Sequence, residues 1–161
     1  MTPVKQSTRP RAEQLAARLK RKTARVAVVG LGYVGLPLAE TFAWGGYPVI
    51  GFDIDADKVE NLRNGQSYIG HIDPERVAEL NASGRFEPTD DPTLFATADA
   101  IVICVPTPLT EAREPDLTYV VNSAKAVAAR LRPGRICSIE DRGASSETEC
   151  HLEKVVILSD I

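Results

Sequence analysis

Residues Arg25–Asp53 read RVAVVGLGYVGLPLAETFAWGGYPVIGFD and contain, in order, a strand, a glycine turn, a helix, a second strand and a terminal acid. Arg25 to Val29 is a short run rich in β-branched residues, the pattern of a buried strand. Gly30-Leu31-Gly32-Tyr33-Val34-Gly35 follows at once with Gly-x-Gly-x-x-Gly spacing. In a β-α-β unit each glycine has a mechanical task. Gly30 permits the tight turn, Gly32 lets the backbone approach a pyrophosphate, and Gly35 lets the helix pack on the strand. The helix start behind them, with its unpaired amides and positive dipole end, favours an anion. The anion this context implies is a dinucleotide pyrophosphate, with Gly30, Gly32, Tyr33, Val34 and Gly35 as the binding turn.

The flanking residues complete the unit. Pro37 suits a first helical turn, Leu38, Ala39, Phe42 and Ala43 form an apolar stripe, and Gly45-Gly46 ends the helix. Pro48 to Phe52 reads as the second strand, closing on Asp53. A carboxylate there accepts hydrogen bonds from the ribose diol of an adenosine and repels a 2′-phosphate, so the expected cofactor is NAD rather than NADP.

The chain of 161 residues fits one ordinary domain, and 43% hydrophobic with 25% charged residues is a globular profile. No run approaches a membrane span and the basic amino terminus lacks the apolar core of a secretory signal, so the expectation is a cytoplasmic protein without membrane association. Residues 1–25 hold eight Lys/Arg against one acid, Glu13, while the whole chain carries a net charge of −3. The folded part is therefore acidic and excludes ordinary nucleic-acid binding. The basic arm itself, over Ala12 to Lys22, predicts a short helix with Leu15, Ala16 and Leu19 as its apolar stripe, docking on the domain or on a second subunit of a homo-oligomer. Cys104, Cys137 and Cys150 lack disulfide or metal-ligand spacing, and no metal site is expected.

Further along, Asp55 predicts a helix to Arg63 with Val59 and Leu62 inward, and Asp73-Pro74 another with Val77 and Leu80 inward. Arg85 to Pro88 reads as an edge strand, Asp91-Pro92 as a short helix start, and Ala100 to Val105 as a strand buried on both faces. Asp116 is the expected cap of a helix from Leu117 to about Leu131, with Val120, Val121, Ala124, Val127, Ala128 and Leu131 inward; Arg135 to Glu140 is the fifth strand. The resulting class is α/β: a Rossmann-type doubly wound parallel sheet of order 3-2-1-4-5 with an incomplete second half. In such a sheet the loop after the fourth strand lies beside the glycine turn. The expected division is a basic helical arm over 1–24, the NAD-binding domain over 25–140, and a tail over 141–161. His71 reads as a loop or packing histidine, and Cys150-His151 as accidental neighbours rather than a nucleophile and its base.

GLGYVGLPLA with VIGFDID resembles the amino-terminal domain of the UDP-glucose/GDP-mannose dehydrogenase family. SYIGHI (67–72), ADAIVICVPTPLT (98–110) and REPDL (113–117) resemble the branch acting on UDP-N-acetylglucosamine or a close nucleotide sugar. The resemblance implies that Pro106-Thr107-Pro108 lines the cofactor cleft, with Thr107 as a contact. It implies oxidation of a sugar 6-hydroxyl to the acid, in polysaccharide synthesis, using a cysteine, a lysine and an asparagine or aspartate beyond this domain; no catalytic residue is carried over. After Glu140 the family's Ser-Thr pair is replaced by Asp141-Arg142. Glu147 to Ile161 reads as an amphipathic helix with Val155, Val156, Ile157 and Leu158. The expectation is a truncated copy, inactive alone, that engages a UDP-sugar only when the missing domain is supplied. The alternative is a non-catalytic NAD-binding or subunit-interaction module.

Overall fold

The computed structural model describes residues 9–140 and 155–158. Helix α1 (Arg9–Lys20) leads into β1 (Val26–Val29), α2 (Gly35–Trp44) and β2 (Val49–Phe52). Then come α3 (Ala56–Arg63), α4 (Pro74–Ala82), β3 (Phe86–Thr89), a 3-10 helix (Pro92–Thr97) and β4 (Ala100–Ile103). Helix α5 (Thr118–Ala128), β5 (Ile136–Ile139) and β6 (Val155–Leu158) complete the described elements. The sheet order is β3-β2-β1-β4-β5-β6. The first five are parallel in the expected order 3-2-1-4-5, which is the Rossmann-type doubly wound arrangement.

Alternation along β1 sends Val26 and Val28 to one layer and Ala27 and Val29 to the other, as period-two strands require. The first layer adds Leu36, Ala39, Leu62, Val77 and Leu80 from α2, α3 and α4. The second adds Phe95 and Val127 from the 3-10 helix and α5, with Ile101 and Ile103 of β4. Leu36, Ile50, Leu62 and Ile101 are fully buried. Each contributes about 1.5–3 kcal/mol relative to exposure. Helix α4 is also fixed to α2 by ion pairing: Arg76 donates to both oxygens of the buried Glu40 carboxylate, at 2.9 and 2.7 Å. Trp44 Nε1 donates to the same group at 3.3 Å.

Helix starts follow the expected chemistry in part. The Asp55 carboxylate accepts from the amides of Asp57 and Lys58 at the head of α3, and Asp91 accepts from Thr93. Asp73 precedes α4 without a side-chain cap. Asp116 accepts from the Thr118 amide at 2.9 Å, yet Leu117 rather than Asp116 occupies the cap position of α5.

Four further expectations need correction. Val121 is 44% exposed and Ala128 is exposed as well; only Val127 of α5 is buried, because the helix meets the sheet along a narrow line by the 3-10 helix and β4. In β4, Ile101 and Ile103 are fully buried but Ala100 and Val102 are only half-buried, so its two faces differ. On α1, Leu15 is buried and Leu19 half-buried, whereas Ala16 is exposed: the contact stripe is narrower than the sequence suggests. Finally, Val155–Leu158 is a strand, antiparallel to β5, where a helix was expected. Its run of β-branched residues suits a pleat, and the open edge of β5 offers the pairing. The remainder of the Glu147 to Ile161 helix lies outside the described residues.

Candidate functional site

Strands β1, β2 and β4 end level with one another, Val29 being in register with both Phe52 and Ile103. Their carboxyl ends converge on the turn Gly30–Gly35. Gly30 N donates to Phe52 O at 2.8 Å, and Cys104 N donates to Val29 O at 2.7 Å, so the turn springs from a fixed base.

The three glycines are there for different reasons. Gly30 has φ +91°, and a Cβ on it would lie 2.8 Å from the Cys104 carbonyl oxygen. A Cβ on Gly35 would lie 1.7 Å from the Gly30 carbonyl oxygen. Both positions are closed by the protein's own backbone. At Gly32 a Cβ would meet nothing within 4 Å. Packing therefore does not require glycine at 32; what it leaves is open space against bare backbone, at the mouth of α2. Val34 precedes that helix without any side-chain cap. Among the described residues, the amides of Gly32, Tyr33 and Val34 donate to no acceptor. An anion seated there gains donors and the helix dipole together, and a pyrophosphate fits the requirement.

Asp53 stands beside this turn at the end of β2, 6% exposed. One carboxylate oxygen accepts from the Leu31 amide at 2.8 Å and the other from the Asp55 amide at 3.0 Å. A carboxylate offers about four acceptor positions, so two remain for a diol. The Leu31 bond ties the acid to the glycine turn, fixing where a ribose would sit relative to a pyrophosphate.

Two residues that sequence reasoning missed complete the corner. Lys58 Nζ lies 3.9 Å from Asp53 Oδ2 and 5.8 Å from the centre of the Tyr68 ring. The signal for it was Lys58 following the Asp55 cap in the first turn of α3, which turns its side chain back toward the strand end. Tyr68 donates its hydroxyl to the Leu31 carbonyl at 2.6 Å, bracing the turn from the other side. Burial, and then the carboxylates of Asp53 and Asp55, push the Tyr68 phenol well above the ordinary tyrosine range, so it remains a donor.

Tyr33 is 71% exposed at the tip of the turn and stacks on His71, ring centres 5.8 Å apart and planes 27° from parallel. His71, read from sequence as a packing or loop residue, thus stands against the tip of the turn. Val34 packs against the first core layer. The loop after β4 abuts the turn directly: Val105 Cγ1 would lie 3.2 Å from a Gly30 Cβ, and the Cys104 side chain 3.3 Å from a Gly35 Cβ. Thr107, half-buried, is two residues further along that loop.

No other chemistry gathers here. Among the described residues no group of His, Cys, Asp or Glu is arranged to hold a metal ion. Cys104 and Cys137 are buried, and burial pushes the Cys137 thiol up, away from the thiolate a nucleophile needs. Cys150-His151 lies outside the described residues. No helix among the described residues is long and apolar enough to cross a membrane.

The chain is 36% identical over 128 residues to a UDP-N-acetyl-D-mannosamine dehydrogenase of Pyrococcus horikoshii, covering 78% of this chain and 30% of that protein. It is 36% identical over 125 residues to an NDP-N-acetyl-D-galactosaminuronic acid dehydrogenase of Ralstonia solanacearum, covering 77% and 29% respectively. Among solved structures it superposes on an NDP-N-acetyl-D-galactosaminuronic acid dehydrogenase of Methanosarcina mazei with a TM-score of 0.70 at 27% identity, covering 81% of this chain and 30% of that one. The chain thus spans about 30% of the length of the curated relatives it matches. Residues 24–153 match the family model of the NAD-binding domain, past Glu140 where the recognisable motifs run out. The glycine turn, the tethered acid and this match lead to one conclusion: the chain belongs to the UDP-glucose/GDP-mannose dehydrogenase family and carries its NAD-binding domain.

Proposed function

We propose that this chain holds NAD for the oxidation of a nucleotide sugar at its 6-hydroxyl. The pyrophosphate sits against Gly30, Gly32 and Gly35 and the amides of Tyr33 and Val34, the ribose diol on Asp53, and Thr107 lines the cleft. The observation that carries this reading is the pairing of open space at Gly32 with the Asp53–Leu31 hydrogen bond, which gives one turn both an anion seat and a diol acceptor. Bound NAD supplies a hydride acceptor; the residues named here bind and orient it. The groups that activate the sugar lie outside these 161 residues, in accord with the share of the relatives that the chain spans.

For the sugar we propose UDP-N-acetylglucosamine, read from SYIGHI and the segments at 98–117. The relatives named above act on other nucleotide-linked N-acetylhexosamine derivatives, which supports the N-acetylated class. The accompanying setting is a cytoplasmic homo-oligomer serving polysaccharide synthesis. Calorimetric titration of the 161-residue chain with NAD and NADP, alongside absorbance of reduced cofactor at saturating NAD and UDP-N-acetylglucosamine, tests the reading. NAD binding in preference to NADP, without turnover, is expected. Turnover that vanishes in a Cys104→Ala, Cys137→Ala, Cys150→Ala triple variant would overturn it, since the nucleophile would then lie within the chain.

A further inference from the structure

At the amino end of the sheet, opposite the glycine turn, α1 and the loop before β5 line a half-open pocket of about 210 Å³. Its lining includes Arg11, Gln14 and Arg18 of α1, Gly134 and Arg135 of the loop, and Asp99. Asp99 is fully buried. One of its oxygens accepts from Arg18 Nη1 at 2.6 Å and also pairs with Arg135; the other accepts from the Arg25 amide at 2.9 Å. One carboxylate thus meets two guanidinium groups, and Arg11 adds a third that is in no ion pair among the described residues.

Among the described residues, two positive charges of this lining are therefore unmatched. Each guanidinium has five N–H donors, and the shared carboxylate engages only a few of them. Solvent-borne molecules meet the cations rather than the acid, because the Arg18 side chain is 46% exposed and that of Arg135 22%, against 0% for Asp99. Burial lowers the Arg135 pKa, and repulsion by the neighbouring Arg18 cation lowers it further. An anion in the pocket relieves that repulsion. Guanidinium forks match the oxygens of phosphate bidentately, and Gln14 adds a neutral amide donor. The volume is below the range of roughly 300–1,000 Å³ for drug-sized ligands, so it suits one charged head group rather than a whole dinucleotide.

We propose that this pocket is a phosphate site, separate from the NAD turn, that Arg11, Arg18 and Arg135 form between the basic arm and the sheet. The phosphate is either free or the terminal group of a nucleoside diphosphate. Because phosphates also visit the amides of the glycine turn, the test must report position. The full chain is treated with phenylglyoxal at constant ionic strength, and modification of each arginine is followed by peptide mass spectrometry with sodium chloride, inorganic phosphate or UDP present.

Phosphate or UDP should slow modification of Arg11, Arg18 and Arg135 about tenfold at saturation, equivalent to about 1.4 kcal/mol of protection, and leave the exposed Arg113 unchanged. Protection at lower UDP than phosphate concentration assigns the group to a nucleotide; equal concentrations assign it to free phosphate. Arg11→Gln, whose fold is checked by circular dichroism, should remove most of the protection at Arg18 and Arg135. Three results would overturn the site: no protection beyond chloride, equal protection of Arg113, or full protection persisting in Arg11→Gln.

Discussion

The Asp53 carboxylate accepts the Leu31 amide at 2.8 Å, so the residue proposed to select the cofactor also braces the turn proposed to bind it. Its two roles separate by substitution. Asp53→Asn keeps an oxygen that can accept from Leu31 but loses the charge; Asp53→Ala loses both. Losing a hydrogen bond to a charged acceptor costs about 1.5–3 kcal/mol. NAD affinity should therefore fall roughly tenfold to hundredfold in both variants, with stability falling further in Asp53→Ala. Paired calorimetry and urea unfolding read the two effects. Equal NAD and NADP affinity in the unmutated chain would remove Asp53 from cofactor choice.

The glycines of the turn should divide sharply. Gly32→Val meets no protein atom at its Cβ, so folding should be retained and NAD binding lost. Gly35→Ala drives a methyl to 1.7 Å from the Gly30 carbonyl oxygen, so the turn must open and the thermal midpoint must drop. Gly30→Ala adds the left-handed strain of φ +91° to a contact with the Cys104 carbonyl. Circular dichroism melts beside NAD titrations separate the classes. NAD affinity persisting in Gly32→Val would show that the pyrophosphate lies elsewhere.

That contrast marks how far the sequence could be read. Glycine spacing, the strand before it and Asp53 after it are local in the chain, and their roles in the fold follow from local rules. What periodicity could not show was contact across the chain. Tyr68 reaches Leu31 over 37 residues and Arg18 reaches Asp99 over 81, and neither pairing has a repeating pattern. The misread face of α5 has a similar origin: apolar spacing identifies Val121 as a core candidate, but only the position of β4 and the 3-10 helix decides which turn of the helix is covered. Likewise, Val155–Leu158 is apolar in either periodicity, and pairing with β5 makes it a strand.

Tyr68 should titrate above the ordinary tyrosine range. Its phenol is pushed up by burial and by the Asp53 and Asp55 carboxylates, and its hydrogen bond to Leu31 O requires the proton. A raised folded-state pKa means that the folded chain holds the proton more tightly than the unfolded chain. Stability from Tyr68 is thus complete below the ordinary tyrosine value near 10 and is lost as pH rises above it toward the folded-state value. Ultraviolet difference titration of the chain and of Tyr68→Phe should show the missing tyrosine at the alkaline end of the curve. The variant should also lose about 1 kcal/mol of stability at neutral pH. A missing component that titrates near the ordinary tyrosine value of about 10 would mean Tyr68 is solvated.

Asp99 should govern whether the basic arm stays docked. Its carboxylate joins three segments: α1 through Arg18, the start of β1 through the Arg25 amide, and the loop before β5 through Arg135. Tyr47 adds a separate tie, its hydroxyl donating to Leu19 O at 3.0 Å, and Leu15 buries its side chain beneath the helix. Removing the acid leaves two cations facing each other; both keep some solvent access, which limits the cost to about 1–3 kcal/mol. Asp99→Asn preserves size but removes the charge and turns one accepting oxygen into an NH2 donor, so Arg18 and Arg135 should repel and α1 should detach more often. Arg18→Ala should be milder, because Arg135 still neutralises the buried acid. Limited trypsin digestion at Lys20, Arg21 and Lys22 measures the detached population directly. The expected cleavage order is Asp99→Asn fastest, Arg18→Ala intermediate and the unmutated chain slowest, with NAD binding retained because the glycine turn lies at the other end of the strands. Cleavage of Asp99→Asn at the unmutated rate would show that Leu15 and the Tyr47 bond hold the arm without the ion pairs.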